Sequence, residues 1–304
     1  MWWFWRRTAI DAEPVNAVYL WPSWKGYYVG DVVPRARQVR ASPSDRAEDV
    51  LAKLPPTIRR FLFHLDLTET ANFPLDRMGL LNALQARSIR VFNGGVTSLS
   101  KRTLHTLARR LDLPCTEAPR TGDASELLIV KTDRNYGGRS ERILGRRYRR
   151  LLGVRSCSPP VRDAFDYRVL PRSEIPAAWW EDPDLVVERF ISNREHRMHR
   201  VRIALDHFGF WSGASPLPVK KTFDCTDTRE HFLRRGEFRE ELPRTLLETT
   251  YHFAEGFSMD YGSLDLIADD TGRYYVIDAN STPGRGSWVP DRMAFLQAAW
   301  DGKS

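Results

Sequence analysis

Two aspartates and an asparagine in the last quarter of the sequence have the residue types and spacing of a magnesium site. Asp265 lies in one alternating apolar segment, and Asp278 and Asn280 lie two residues apart in the next one. Residues 269–272, Asp-Asp-Thr-Gly, connect the segments and predict a tight hairpin turn. Side chains two apart in a strand share a face, and Mg²⁺ prefers hard oxygen ligands. The hairpin therefore predicts a metal site, although Asp278 and Asn280 could also simply close an Asx turn before Pro283.

A predicted strand followed by glycines is a second candidate for chemistry. Residues 127–131 are rich in apolar and β-branched side chains and end in Lys131, whose ammonium can meet a phosphate as a point charge. Gly137 and Gly138 follow, and glycines let backbone N–H groups close around phosphate oxygens. The spacing is not that of a Walker A loop. Alone, the pattern indicates either a phosphate loop or a hairpin turn.

An apolar segment at residues 185–191 is a third candidate. It predicts a strand ending in Glu188, Arg189, Phe190 and Ile191, whose backbone groups and apolar side chains could hold a flat base. Taken alone, the segment is typical of an ordinary core strand.

Strand and helix patterns alternate between residues 15 and 113, which predicts an α/β region with a parallel sheet. The expected elements there are strands at 15–21, 59–67 and 89–92 and helices at 45–54, 76–86 and from Ser100. The expected elements of the remainder are strands at 127–131, 167–170 and 185–191, hairpins over 201–211 and 262–284, and a helix at 243–257.

The composition is that of a globular protein with a basic surface. The 304 residues are 42% hydrophobic and 28% charged, with a net charge of +7. A chain of this length and hydrophobic content can bury a large core. Its positive net charge favours anionic partners. Arginines cluster at residues 142–150 and 194–202. These clusters could contact nucleic acid, a nucleotide or an acidic substrate, and the first could instead be a solvated helix face.

The cysteines indicate a compartment and not a metal centre. Cys115, Cys157 and Cys225 are widely spaced and odd in number, which fits a reducing cytoplasm. No apolar run approaches the length needed to cross a bilayer. The tryptophan-rich residues 1–7 are expected to pack as a short tail on the body of the protein.

The order of these motifs resembles the ATP-grasp superfamily, and within it the carboxylate–amine ligases. The match runs from the lysine strand and glycine loop through the apolar hinge strand and an arginine-bearing strand to the Asp…Asp-x-Asn-x-x-Pro-Gly hairpin, over roughly residues 88–290. The resemblance implies an α/β (α+β) fold in which two α+β subdomains hold a nucleotide and a small parallel-sheet domain precedes them. It implies domains at residues 1–112 and 113–304, the second divided into a lid-bearing subdomain at 113–195 and a metal-binding subdomain at 196–304.

The resemblance also implies roles for individual residues, with ATP as the nucleotide and Mg²⁺, as two ions, for the metal. The matching metal ligands are Asp265, Asp278, where the family usually has Glu, and Asn280. The matching nucleotide contacts are Lys101, Lys131, Gly137, Gly138, Glu188, Arg189, Phe190, Ile191 and Glu195. Arg200 or Arg202 matches an arginine that steadies the transferring phosphoryl group.

The activity implied by this resemblance is ATP-dependent ligation through an acyl phosphate, with release of ADP and phosphate. Three alternatives stay open: an ATP-grasp kinase, a basic nucleic-acid-binding protein and a nucleotide-binding module without turnover. The expected partners are ATP and an acidic small-molecule or peptide substrate, without nucleic acid or a transmembrane span. A homodimer in the cytoplasm is compatible with these expectations.

Overall fold

The computed structural model describes most of the chain, in the ranges 14–22, 29–154, 161, 166–284 and 289–301. The tryptophan-rich segment 1–7 and Cys157 lie outside the described residues.

A parallel sheet forms the first part of the molecule, as the alternating pattern predicted. Its elements are β1 (Asn16–Trp21), α1 (Val29–Val32), β2 (Ala36–Arg40), α2 (Ala47–Ala52), β3 (Arg60–Leu65), α3 (Arg77–Ala86) and β4 (Arg90–Phe92). The strand order is β2-β1-β3-β4 and every pairing is parallel. The sequence did not predict β2, because this edge strand is mostly polar and exposed.

An antiparallel sheet of order β6-β5-β7, the central sheet, follows the parallel sheet along the chain. The elements of this part are α4 (Lys101–Arg110), β5 (Leu127–Thr132), α5 (Arg139–Ile143), α6 (Arg146–Leu151), β6 (Arg168–Pro171), α7 (Ala177–Glu181) and β7 (Leu185–Arg189). The arginines of α6 face solvent or are half-buried, whereas Tyr148 and Leu152 pack on the core of the parallel sheet. The first arginine cluster is thus largely a solvated helix face.

A second antiparallel sheet of order β10-β9-β8-β11-β12, the C-terminal sheet, completes the fold. Its elements are β8 (Arg197–Ala204), β9 (His207–Ala214), β10 (Thr226–Arg234), α8 (Arg244–Gly256), β11 (Tyr261–Ala268), β12 (Tyr274–Asn280) and α9 (Pro290–Asp301). Both predicted hairpins are present, as β8–β9 and β11–β12. Strand β10 was not predicted.

The hydrophobic cores join elements that are far apart in sequence. Helices α4 and α8 pack against the C-terminal sheet, so α4 contributes to that core although it precedes residue 113. Helix α9 packs against one face of the parallel sheet, where Trp300 meets Phe92. The domain boundaries after residues 112 and 195 fall between the three sheets and stay a prediction. No helix in the described ranges is long and apolar enough to cross a membrane.

Candidate functional site

A pocket lies between the central and C-terminal sheets, with an empty volume of about 710 Å³ including its open mouth. Its apolar lining consists of Ile129, Phe190, Ile191, Met198, Pro218, Val219, Ile267 and Ile277. Its polar lining consists of Lys101, Lys131, Tyr167, Glu188, Arg189, Lys220, Lys221, Asp265 and Asp278. Cations outnumber carboxylates here, so the pocket suits a ligand with an apolar part and an anionic part.

The β11–β12 hairpin places two carboxylates at one point of this pocket. Asp265 and Asp278 are directly paired across the strands, and an irregularity of register follows Asp265. Such bulges re-aim side chains near functional sites. Arg200 of β8 lies opposite Asp265 and forms a bidentate ion pair with it, through two contacts of 2.6 Å. Asn280 instead accepts the Thr282 N–H at 2.8 Å, so the Asx turn that the sequence allowed forms at this residue.

Lys101 reaches the same point from the first residue of α4. Ser100 caps this helix by accepting the Thr103 N–H, which fixes where the helix begins. The Lys101 side chain is 1% exposed and its Nζ lies 2.6 Å from Asp278 Oδ1. Burial lowers the pKa of Lys101, but the charge of Asp278 outweighs it and raises the pKa above its ordinary value. Lys101 is therefore a fixed buried cation.

Glu188 lies at the back of the pocket, with its carboxylate buried between two partners. Lys131 Nζ approaches Oε2 at 2.5 Å, and His105 Nε2 lies 2.9 Å from Oε1. Burial alone would raise the pKa of Glu188, but the charge of Lys131 and the contact with His105 lower it to about 2. The resemblance implied that Glu188 belongs to an adenine hinge. In the structure its side chain forms an ion pair with Lys131.

The predicted site residues divide into two sets. Those that line the pocket are Lys101, Lys131, Glu188, Arg189, Phe190, Ile191, Asp265 and Asp278. Those that do not line it are Gly137, Gly138, Glu195, Arg200, Arg202 and Asn280. Glu195 lies in the loop before β8 with its side chain 78% exposed, paired with Arg197. Arg202 is buried two residues after Arg200, on the same face of β8.

The glycine loop contacts the parallel sheet and not the described pocket. Gly137 and Gly138 adopt left-handed conformations, with φ of 66° and 71°, that favour glycine. The side chains around this loop form a buried cluster, which we term the lid network and which comprises Asp66, Thr68, Asn135, Ser140, Glu141 and Thr282.

Hydrogen bonds of the lid network tie three distant segments together. Asp66 accepts hydrogen bonds from Asn135 Nδ2 at 3.3 Å, from the Ser140 hydroxyl and from Thr282 Oγ1 at 3.1 Å. The Thr68 N–H donates to Glu141 Oε1 at 2.6 Å. Burial raises the pKa of Glu141. The loop is therefore fastened to the end of β3.

Several residues in or next to the pocket were not predicted from the sequence. The first, His105, contacts Glu188 but does not itself line the pocket. His105 follows Lys101 by four residues, a spacing that places both on one helix face and could have identified it. Lys220 and Lys221 lie in the connection between β9 and β10, and burial lowers the pKa of both. Lys221 Nζ lies 5.0 Å from the centre of the Tyr167 ring. No local pattern identifies these last three residues.

The carboxylates of the pocket fit a magnesium ion. Within the described ranges no group of three or more His, Cys, Asp or Glu side chains converges as a metal site. Mg²⁺ does not need such a group, because one or two carboxylates suffice when water and phosphates fill the remaining positions. Asp265 and Asp278, paired across the strands, supply that donor set.

Comparison with known proteins identifies the fold. No protein-family model and no curated protein matches the chain. The D-alanine–D-alanine ligase of Bacillus anthracis has a similar structure, with a TM-score of 0.50 at 15% identity over 95% of both chains. The ATP-grasp ligase PsnB, solved with a precursor peptide and AMPPNP, has a TM-score of 0.51 at 13% identity, over 95% of this chain and 98% of that one. The chain has an ATP-grasp fold.

A third ATP-grasp structure agrees with this assignment. The RimK domain protein of Sphaerobacter thermophilus has a TM-score of 0.50 at 12% identity, over 94% of this chain and 98% of that one. The resemblance to the ATP-grasp superfamily and the predicted fold class are therefore confirmed at the level of the fold. The pocket of this ATP-grasp fold lies between the two sheets where the sequence placed the nucleotide.

Proposed function

We propose that the protein is an ATP-dependent ligase that activates a substrate carboxylate and joins it to an amine or similar nucleophile. The observation that carries the proposal is the pocket itself. It combines the buried cations Lys101 and Lys131 and the paired Asp265 and Asp278 with an apolar slot, inside an ATP-grasp fold.

We assign each part of Mg-ATP to residues in or beside this pocket. The apolar side chains and the hinge residues 188–191 would hold the adenine, and Glu195 would reach the ribose. Lys101, Lys131 and Lys221 would contact the phosphates. Asp265 and Asp278, with Asn280 beside the pocket, would hold Mg²⁺, as two ions. Gly137 and Gly138 would cover the phosphates once their loop had left the lid network that holds it in the structure.

The proposed reaction has two steps. A carboxylate oxygen of the substrate attacks the γ-phosphorus, which forms an acyl phosphate and releases ADP. The nucleophile then attacks the acyl carbon and phosphate leaves. Bound Mg²⁺ would neutralise charge on the phosphates. Lys101 and Lys131 would share that charge, and Arg200 or Arg202 would steady the transferring group, so catalysis would rest on positioning and electrostatics.

The basic pocket supports an acidic substrate, either a small molecule or a peptide. PsnB is bound to a precursor peptide in its solved structure, which makes a peptide a reasonable first substrate to test. A homodimer and a cytoplasmic location stay predictions. Cys115 and Cys225 form no disulfide in the part of the chain that the structure describes.

Calorimetric titration with AMPPNP, with and without Mg²⁺, tests the nucleotide site. We expect magnesium-dependent binding by the wild type and its loss in Asp278→Asn. Asp270→Asn is the matched control, because Asp270 lies in the turn of the same hairpin and is half exposed outside the pocket. Since Asp278 is the counter-ion of buried Lys101, the folding of Asp278→Asn is checked first by circular dichroism. Absence of binding by the wild type would overturn the proposal.

Product analysis with ATP and candidate acidic acceptors tests the reaction. ADP, phosphate and a ligated product would support a ligase. ADP with a phosphorylated product would identify a kinase instead. If nucleotide did not bind but nucleic acid did, with steep salt dependence, the protein would be a nucleic-acid binder.

A further inference from the structure

We propose that His105 is a positioning residue that stabilises Glu188, so that Lys131 can leave its ion pair with Glu188 and form one with a nucleotide phosphate. The inference rests on the proposed function, because it concerns the nucleotide of that site. His105 itself would not touch the nucleotide and would act only through Glu188.

The two oxygens of Glu188 have different partners. Oε2 lies 2.5 Å from Lys131 Nζ, and Oε1 lies 2.9 Å from His105 Nε2. Glu188 is 1% exposed and His105 is 4% exposed, so water contributes little to either group. The carboxylate therefore depends on these two side chains for its stabilisation.

The ring contacts of His105 indicate where its proton lies. Nε2 faces Glu188 and also lies 3.3 Å from the Thr116 hydroxyl. Nδ1 is buried and has no hydrogen-bond partner among the described residues. A proton on Nδ1 would leave a buried N–H without an acceptor and would turn the Nε2 lone pair toward the Glu188 carboxylate. A proton on Nε2 donates a hydrogen bond to that carboxylate and leaves only a buried lone pair on Nδ1, which costs less. The proton therefore belongs on Nε2, which donates to Glu188.

This arrangement matters when a phosphate enters the pocket. In the structure the charge of Lys131 is neutralised by Glu188. A phosphate would compete for the same ammonium, and a buried carboxylate left without any partner would be strongly destabilised. The Nε2–H of His105 stays on Glu188 during the exchange and lowers that cost. His105 should therefore strengthen binding of phosphates but not binding of the nucleoside.

The difference between phosphate and nucleoside binding separates positioning from a general structural role. A residue that only stabilises the fold would affect adenosine and AMPPNP alike. The test therefore measures the dissociation constants of both ligands, with Mg²⁺, for wild type, His105→Leu and His105→Gln. Leucine removes the hydrogen bond at similar size, whereas the glutamine amide can donate from a position close to that of Nε2.

We expect His105→Leu to weaken AMPPNP binding by about tenfold, the value of one charge-assisted hydrogen bond, with adenosine affinity unchanged. His105→Gln should recover most of the AMPPNP affinity. The matched control is Leu107→Ala, which removes a buried side chain from the same helix but contacts the core of the C-terminal sheet. It should lower stability and leave both affinities unchanged.

A double-variant cycle tests whether His105 acts through Glu188. Glu188→Gln removes the charge that holds Lys131, so adding His105→Leu in that background should cause no further loss of AMPPNP affinity relative to Glu188→Gln alone. Equal losses for adenosine and AMPPNP, or full AMPPNP affinity in His105→Leu, would overturn the inference and leave the proposed function intact. Failure of the wild type to bind AMPPNP would overturn both.

Discussion

The pocket and the lid network each contain a pair of buried or half-buried carboxylates, and the contacts described above differ between the two pairs. In the pocket, Asp265 and Asp278 each face a cation, and their side chains are 14% and 34% exposed. In the lid network, the contacts of Asp66 and Glu141 described above come from hydroxyl, amide and backbone N–H donors, and both residues are buried.

This difference distinguishes a site that can exchange one bound cation for another from a set of contacts that holds the structure together. A partly hydrated carboxylate in an ion pair can trade one cation for another with little reorganisation. Asp66 is buried and accepts hydrogen bonds from three fixed neutral donors, which it cannot leave without stranding polar groups. The pocket pair is therefore suited to receive a metal ion, and Asp66 is suited to hold the glycine loop on the parallel sheet.

The largest expected effect is the loss of stability when Asp66, the central acceptor of the lid network, is replaced. Asp66→Ala removes the common acceptor of three buried donors and should lower the free energy of unfolding by about 3 kcal/mol. Urea denaturation measures this change. Glu69→Ala, which removes an exposed carboxylate with one hydroxyl partner, is the control and should cost less than about 1 kcal/mol. Equal effects of the two substitutions would contradict the role given to Asp66.

The second effect should appear in ligand binding. Lys101→Met removes a cation from the pocket at similar volume, and we expect AMPPNP affinity to fall by about 10- to 100-fold, or about 1.5–3 kcal/mol. Calorimetric titration with Mg²⁺ provides the measurement. Asp278 is one-third exposed and can be hydrated, so the variant should still fold. Wild-type affinity in this variant would remove Lys101 from the site.

The third prediction concerns pH. Burial raises the pKa of Glu141 above its ordinary value of 4.5, so the folded protein holds this proton more tightly than the unfolded chain does. The stability contributed by Glu141 is therefore fully present below about pH 4.5 and is lost as the pH rises through the folded pKa. We expect Glu141→Gln to gain stability relative to wild type over that window, by at most about 1.4 kcal/mol per pH unit.

Urea denaturation of both proteins between pH 4.5 and 7 measures this difference. Glu48→Gln is the control, because Glu48 is exposed and its difference from wild type should stay constant with pH. A constant difference for Glu141→Gln as well would show that its carboxyl is not buried as described.

The smallest expected effect tests whether Thr282 belongs to the lid network or to the pocket. Thr282 follows the metal hairpin, and its hydroxyl lies 3.1 Å from Asp66 Oδ1 and 3.0 Å from Asn280 Oδ1. Asn280 Oδ1 also accepts the Thr282 backbone N–H, which a side-chain substitution leaves in place. Thr282→Val should cost about 1 kcal/mol of stability, the value of one hydrogen bond, and leave AMPPNP affinity unchanged. Thermal denaturation and titration of the same preparation test both parts. A large loss of affinity would place Thr282 with the pocket instead.

Much of the fold was predictable because its signals are local. The Asp-Asp-Thr-Gly turn and the alternation around it located the β11–β12 hairpin, and Ser100 marked the start of α4. Strand β10 was missed because its first half is exposed and its sequence, Thr-Asp-Thr-Arg-Glu-His-Phe-Leu-Arg, is mostly polar. Such a strand is defined by its pairing with β9, which no local pattern shows.

The site was predictable to the same extent and for the same reason. Lys131 belongs to β5, and the hinge residues 188–191 belong to the end of β7 and the two residues after it. Both segments have clear apolar patterns, and these residues line the pocket as expected. The partnership of Glu188 with His105 joins residues 83 positions apart. The lid network likewise joins residues up to 216 positions apart, and it draws the glycine loop away from the pocket lining. Contacts of this kind depend on the packed fold and not on spacing.

The packing of α9 on the parallel sheet has a consequence for synthesis of the chain on the ribosome. Val18 and Leu20 of β1 are buried together with Met293, Leu296 and Trp300 of α9, which follow about 270 residues later in the chain. One face of the parallel sheet therefore stays exposed during synthesis until α9 has been made. Exposed apolar surface of this kind promotes aggregation and attracts chaperones. Production of this protein should accordingly depend more on the rate of translation and on chaperone supply than its finished, well-packed structure would suggest.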